Sequence, residues 1–124
     1  MTGKGCRQKG FAFERKVAKL LEEIYGEKVR RGIQSQHHKN ETPPDVDFTP
    51  FYIECKKMKR PNVKAALLQA EKNTDGRPCL AITCEDRQPA IASMRLDDFL
   101  KILARLEQYE FPEILLEESD DATP

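Results

Sequence analysis

An almost continuous apolar run, residues 79–84 (CLAITC), constrains the fold of this chain more than any other stretch. A short run without polar alternation, bounded by a break at residues 76–78, is typical of a β-strand buried on both faces. Such a strand needs a layer of structure on each side of its sheet, and helices can supply those layers. The sequence therefore predicts an α/β protein.

Apolar periodicity predicts three helices around this strand. Residues 9–25 carry apolar side chains at helical spacing, and Gly26 is a suitable terminator. Asn62 is a candidate N-cap of a second helix, and Leu96 begins the apolar stripe of a third. Further strands are predicted over residues 28–32, 45–48, 51–56 and 89–94. This order predicts a small mixed β-sheet flanked by helices.

The composition is that of one globular domain. The 124 residues are 39% hydrophobic and 34% charged, and no apolar run approaches the length of a membrane span. The four cysteines lack the spacing of a zinc site, and the basic N-terminus lacks the apolar segment of a secretion signal. We therefore expect a cytoplasmic protein with reduced thiols, no membrane partner and no small-molecule cofactor.

The formal charge of zero hides an asymmetry. Residues 1–64 hold 15 Lys and Arg against 8 Asp and Glu, whereas residues 65–124 hold 6 against 13. Seven of those acids lie in residues 107–124, which we predict to be an acidic tail after a domain of residues 1–106. The basic half could bind a polyanion while the tail stays in solvent. Alternatively, both charge runs are solvated faces.

Residues 44–57 (PDVDFTPFYIECKK) put acids on two neighbouring predicted strands. Because side chains alternate along a strand, Glu54 and Lys56 share one face while their neighbours suit the core. If the strands pair as a hairpin, Asp45 approaches Glu54. Two close carboxylates repel each other, and Mg²⁺ removes that cost while activating bound water for attack on a phosphodiester. A solvated ion pair between Glu54 and Lys56 is the alternative.

Pro44-Asp45 followed by Glu54-x-Lys56 resembles the signature of the PD-(D/E)xK nuclease superfamily. Residues 7–32 (RQKGFAFERKVAKLLEEIYGEKVRRG) are similar to the opening of the archaeal-type Holliday-junction resolvases, and the similarity runs to residue 84. The resemblance implies a restriction-endonuclease-like core and an endonuclease that cuts DNA at four-way junctions, leaving 5′-phosphate and 3′-hydroxyl ends. The cofactor would be Mg²⁺, with Mn²⁺ as a substitute. Two alternatives stay open: a nicking or restriction-like endonuclease of the superfamily, or a catalytically silent DNA-binding module.

Carried across residue by residue, the resemblance implies that Glu14, Asp45, Glu54 and Lys56 form the catalytic set. The three acids would hold the metal, Glu14 directly or through water, and Lys56 would position the attacking water. Glu14 falls about 75° from the centre of the apolar stripe of its helix, so it could lean over the sheet. The alternative is an ordinary exposed glutamate in the first part of a helix.

Two polar residues take supporting roles in this resemblance. They are Gln69 on the second helix and Ser35 in the long polar loop of residues 33–43. His37 and His38 in the same loop are additions to the pattern. For all of these, an ordinary surface position is the alternative.

Basic residues gather where a DNA backbone could lie. The candidate phosphate contacts are Arg7, Lys9, Arg30, Arg31, Lys57, Lys59 and Arg60. General solubility is the alternative explanation. A four-way junction offers two equivalent strands, and a domain this small carries one site, so we expect a homodimer on branched double-stranded DNA.

Overall fold

The computed structural model describes residues 3–32 and 42–109, with side chains from residue 8 onward in the first segment. The chain forms two compact units, Met1–Met94 and Arg95–Pro124. The helices are α1 (Gly3–Tyr25), α2 (Val63–Asn73) and α3 (Leu96–Leu106). The strands are β1 (Arg30–Arg31), β2 (Val46–Asp47), β3 (Tyr52–Met58), β4 (Cys79–Glu85) and β5 (Ile91–Ser93). None of the described helices is long and apolar enough to cross a membrane.

The five strands form one mixed sheet in the order β1-β2-β3-β4-β5. Neighbouring strands are antiparallel except β3 and β4, which are parallel. Helix α2 connects these two, because parallel neighbours need a crossover whereas antiparallel neighbours need only a turn. The predicted small mixed sheet with helices is confirmed.

Helix α1 packs on one face of the sheet. Its Phe13 and Val17 belong to a buried cluster with Ile53 and Cys55 of β3, the two residues expected to face the core. At its C-terminus, Gly26 has a φ of 96° and donates its N–H to the Glu22 carbonyl oxygen, as expected of a terminating glycine. The helix begins earlier than residue 9, where it was predicted to start, because residues 3–8 carry no apolar stripe that periodicity could detect.

Helix α2 packs on the opposite face. Its buried Ala66, Leu67 and Ala70 contact Tyr52 of β3, together with β4. The predicted N-cap is confirmed, since Asn62 Oδ1 accepts the Ala65 N–H at 2.9 Å. Strand β4 contributes side chains to the clusters on both faces, which explains why its sequence is apolar without alternation.

The second unit begins with α3. Asp97 and Asp98 lie in its first turn and Arg105 in its last, the arrangement that suits the helix dipole. A 3-10 helix, Glu107–Tyr109, follows directly. The predicted division into a domain of residues 1–106 and an acidic tail stays a prediction, and residues 110–124 of that tail lie outside the described residues.

Candidate active site

The register of the β2–β3 hairpin sets Asp45 opposite Glu54. Val46 pairs with Ile53, and the Asp45 N–H donates to the Ile53 carbonyl oxygen at 2.8 Å, which extends the pairing one residue beyond β2. The Asp45 carboxylate is oriented by the backbone N–H of Cys55, which donates to Oδ2 at 2.8 Å. Like charges in directly opposed positions destabilise a sheet. The two acids therefore meet at a cost in stability.

A close backbone contact holds the chain just before Asp45. The Gly32 N–H donates to the Asp45 carbonyl oxygen at 3.1 Å, and a Cβ on Gly32 would lie 1.8 Å from the carbonyl oxygen of Pro44, which is fully buried. The Tyr52 hydroxyl also donates to the Thr42 carbonyl oxygen at 2.6 Å. Only glycine can occupy position 32 without moving the proline–aspartate pair.

Lys56 lies beside Glu54 on the same face of β3, as side-chain alternation predicted. Its Nζ is 3.5 Å from Glu54 Oε1. The carboxylate side chain is only 8% exposed, whereas the lysine side chain is 42% exposed. The ammonium therefore lies between a buried acid and the solvent, where an anionic substrate can reach it.

Glu14 of α1 approaches the acidic pair from the helix layer. Its Oε2 accepts a hydrogen bond from Arg31 Nε at 2.8 Å, and the Arg31 guanidinium stacks over the Phe11 ring at 4.1 Å from its centroid. The Glu14 charge contributes to raising the pKa of both Asp45 and Glu54, so the three acids share one electrostatic environment. Arg31, proposed above for DNA contact, holds Glu14 in this structure.

Burial dominates the electrostatics of the acidic pair. Desolvation first, and then the charge of Glu14, raise the pKa of Asp45 to about 6, against a lowering by the Cys55 N–H. Desolvation and the charge of Asp45 raise the pKa of Glu54 to about 7, partly offset by Lys56. Burial also raises the pKa of the Cys55 thiol, which stays protonated and is no candidate nucleophile. Both carboxylates are poised to accept a cation.

These groups line one cavity of about 670 Å³. It lies where the parallel strands β3 and β4 reach their carboxyl ends, beside the first half of α1. The predicted site and DNA-contact residues that line it are Glu14, Asp45, Glu54, Lys56, Gln69, Lys9, Lys57 and Lys59. The structure thus brings together residues that are far apart in the chain.

Other predicted residues lie elsewhere. Arg60 lines a separate cavity beside Pro61, and Arg30 stacks its guanidinium over Phe48 at 4.9 Å from the ring centroid. The side chain of Arg7 lies outside the described residues, as do Ser35 and the two loop histidines, residues 37 and 38. Their proposed roles stay predictions.

One comparison with known proteins identifies the chain. Residues 5–122 match the model of a protein family described as "Phage putative PDDEXK endonuclease". The chain belongs to this family. No curated protein and no solved structure matches the chain.

Membership in a PD-(D/E)xK endonuclease family confirms the superfamily and the restriction-endonuclease-like core. The signature suggested by the sequence falls on Pro44-Asp45 and Glu54-Cys55-Lys56, the segments that meet in the β2–β3 hairpin. The narrower resemblance to Holliday-junction resolvases stays a prediction.

Asp45 and Glu54 suit a hydrated ion better than a closed protein cage. Among the described residues, no three His, Cys, Asp or Glu side chains gather closely enough to hold a metal. Mg²⁺ takes one or two protein carboxylates and keeps several waters, whereas structural zinc needs four protein ligands. Two repelling, desolvated carboxylates beside a roomy cavity therefore fit the PD-(D/E)xK expectation of a divalent cation.

Two residues of this region were missed from the sequence. Asp86 lines the same cavity and forms an ion pair with Lys9 across 77 positions of sequence. Arg77 donates through Nη1 to Oδ1 of buried Asp47, the last residue of β2, at 3.0 Å. A signal for Asp86 existed, since it follows a strand that ends at the same edge as β3. No sequence pattern near Arg77 predicts its contact with Asp47.

Proposed function

We propose that the protein is a Mg²⁺-dependent endonuclease that hydrolyses DNA phosphodiester bonds at four-way junctions and acts as a homodimer. One observation carries the hydrolytic part: half-buried Asp45 and buried Glu54 face each other across a hairpin with the Lys56 ammonium alongside. In a binding module, neutral or basic groups at these positions would favour a phosphate far more. An acidic pair favours catalysis.

Asp45 and Glu54 would hold the metal, and Glu14 would reach it through water because its carboxylate is already bound by Arg31. When bound, the ion supplies neutralisation of phosphoryl charge and a lowered pKa for its coordinated water. The Cys55 N–H keeps Asp45 oriented toward the cavity throughout. Mn²⁺, which also prefers oxygen ligands, would substitute.

Lys56 would stabilise the negative charge that develops on the phosphate. Its ammonium is partly exposed and is anchored by Glu54 at 3.5 Å, so it can contact a phosphoryl oxygen without large rearrangement. Lys57 and Lys59 line the same cavity and would neutralise flanking phosphates. Gln69, at the α2 side, would support the substrate by hydrogen bonding.

The preference for four-way junctions is supported by the resemblance of residues 7–84 to the resolvases, and the homodimer by the two-fold geometry of such a substrate. Another endonuclease of the superfamily would share the chemistry of Asp45 and Glu54 and differ only in substrate. The assay below therefore varies the DNA as well as the protein.

The test uses labelled four-way junction, linear duplex and single-stranded DNA, each with Mg²⁺, Mn²⁺ or EDTA. Paired symmetric nicks on the junction alone, lost in Asp45→Asn and retained in Glu23→Gln, are expected; Glu23 is an exposed acid of α1 and serves as the matched control. Equal cutting of all DNAs would reject junction selectivity. DNA binding without metal-dependent cleavage would reject the nuclease.

A further inference from the structure

We propose that Asp86 acts as an internal competitor of DNA: it occupies the Lys9 ammonium in the lining of the active-site cavity, and a substrate phosphate must displace it. The inference rests on the proposed function, since it assumes that the nucleic acid backbone enters this cavity. It assigns Asp86 a role in setting the affinity for DNA rather than in catalysis.

The position of the ion pair carries the proposal. Lys9 lies on α1 and Asp86 directly follows β4, and both line the cavity that holds Asp45 and Glu54. Lys9 Nζ donates to Asp86 Oδ1, which joins the helix side of the cavity to its sheet side. A DNA backbone bound in this cavity would therefore share its lining with this ion pair.

The charges around Asp86 are those expected of a phosphate site. The hydrogen bond from Lys9 lowers the pKa of Asp86, and the charges of Lys9, Lys57 and Arg87 lower it further. Asp86 is therefore ionised at neutral pH and surrounded by cations. An aspartate carboxylate carries the negative charge and oxygen acceptors that a DNA phosphate would otherwise present to the same lysines.

The Lys9–Asp86 ion pair is exposed enough for a phosphate to replace the carboxylate. The side chains are 26% exposed for Lys9 and 39% exposed for Asp86, so solvent and ligands reach both. Ion pairs of this exposure are weak and break readily. A phosphate that arrives with several neighbouring phosphates can displace the carboxylate, whereas an isolated contact gains little because Lys9 is already neutralised.

A double-mutant cycle tests the competition. Binding of labelled duplex and four-way junction is measured by fluorescence anisotropy in EDTA, over a range of salt concentrations, for the wild type, Asp86→Asn, Lys9→Met and the double variant. Glu85→Gln is the matched control, because it removes the same charge one residue earlier, on a side chain that lines a different cavity. Far-UV circular dichroism and melting verify that each variant is folded.

Asp86→Asn is expected to tighten duplex binding about three- to tenfold and to steepen the dependence of log K on log salt by about one, the effect of one added phosphate contact. Lys9→Met is expected to weaken binding far more in the Asp86→Asn background than in the wild type. Glu85→Gln is expected to change affinity less than about twofold.

An equal effect of Lys9→Met in both backgrounds, or an equal gain from Glu85→Gln, would overturn the competition while wild-type binding and cleavage stand. Absence of DNA binding and of metal-dependent cleavage in the wild type would overturn the proposed function, and the competition with it. The two failures are thus distinguishable.

Discussion

Neutralising Asp45 should stabilise the metal-free protein at neutral pH. The pKa of this carboxyl rises from 3.8 to about 6 on folding, chiefly through burial. Ionising it in the folded state then costs about 3 kcal/mol, at about 1.4 kcal/mol per pKa unit. An asparagine at this position would keep an oxygen that accepts the Cys55 N–H and would carry no charge. We expect Asp45→Asn to gain roughly 1–3 kcal/mol of unfolding free energy at about pH 8.

The sign of the pH dependence follows from the raised pKa. Below about pH 3, Asp45 is protonated in both the folded and the unfolded protein, so the variant and the wild type should be equally stable. As the pH rises through the interval from 3.8 to about 6, the unfolded state loses the proton first, and the wild type loses stability. Glu54 extends the loss toward a pH of about 7.

The assay is urea unfolding followed by far-UV circular dichroism, in EDTA, at a series of pH values. The difference between Asp45→Asn and the wild type cancels the shared groups that Asp45 does not influence. Glu54 does not cancel, because the variant removes the Asp45 charge that raises the pKa of Glu54, and this adds to the gain. Glu23→Gln reports the effect of removing an exposed acid. Equal m-values are required, because a changed m-value indicates a changed state rather than a changed stability.

Addition of Mg²⁺ should reverse the order, because a ligand of the folded state raises the stability of the wild type and not of the variant. The reasoning is refuted if Asp45→Asn is less stable than the wild type in EDTA at about pH 8. It is also refuted if the difference between the two persists unchanged at low pH.

Two further predictions concern the scaffold. Gly32→Ala should lose cleavage and about 2 kcal/mol or more of stability, because its Cβ would lie 1.8 Å from a backbone carbonyl oxygen. The control Gly10→Ala has nothing within 4 Å of its Cβ and should gain about 0.5–1 kcal/mol in helix α1; urea unfolding and junction cleavage are measured for both variants. Arg77→Ala should lower the free energy of unfolding in urea by about 3 kcal/mol, because it removes the guanidinium that binds Asp47 Oδ1 at 3.0 Å, and the Asp47 residue is only 4% exposed. An unchanged urea midpoint would contradict a stabilising role for this ion pair.

Local sequence patterns were sufficient for most elements of the fold. The apolar period of α1, the cap at Asn62 and the unbroken apolar run of β4 each depend on neighbours within one turn or one strand, and the structure contains each of them. The start of α1 was misplaced because the sequence of residues 3–8 carries no apolar stripe. Apolar periodicity therefore fails to detect a helical segment that has no such stripe.

The candidate site also combines features that local sequence predicts with contacts that it cannot predict. Alternation along β3 predicted that Glu54 and Lys56 share a face, and the hairpin predicted the approach of Asp45. The partners of the basic residues could not be predicted: Lys9 meets Asp86 only through the α1–sheet packing, and Arg31 meets Glu14 across two elements. A count of lysines and arginines therefore does not show which of them already pair with an acid.

The cost of the acidic pair explains several features of the scaffold together. Two ionised carboxylates opposed in a hairpin push its strands apart, so the hairpin needs restraint from groups that take no part in chemistry. The contact of Gly32 with buried Pro44 fixes one strand, and the bond from the Cys55 N–H to Asp45 ties the other strand to the acid itself. Because the restraint is built into the backbone, the cation of the proposed mechanism would find its ligands already positioned and would relieve their repulsion. In that mechanism, affinity for the ion and instability without it have the same physical origin.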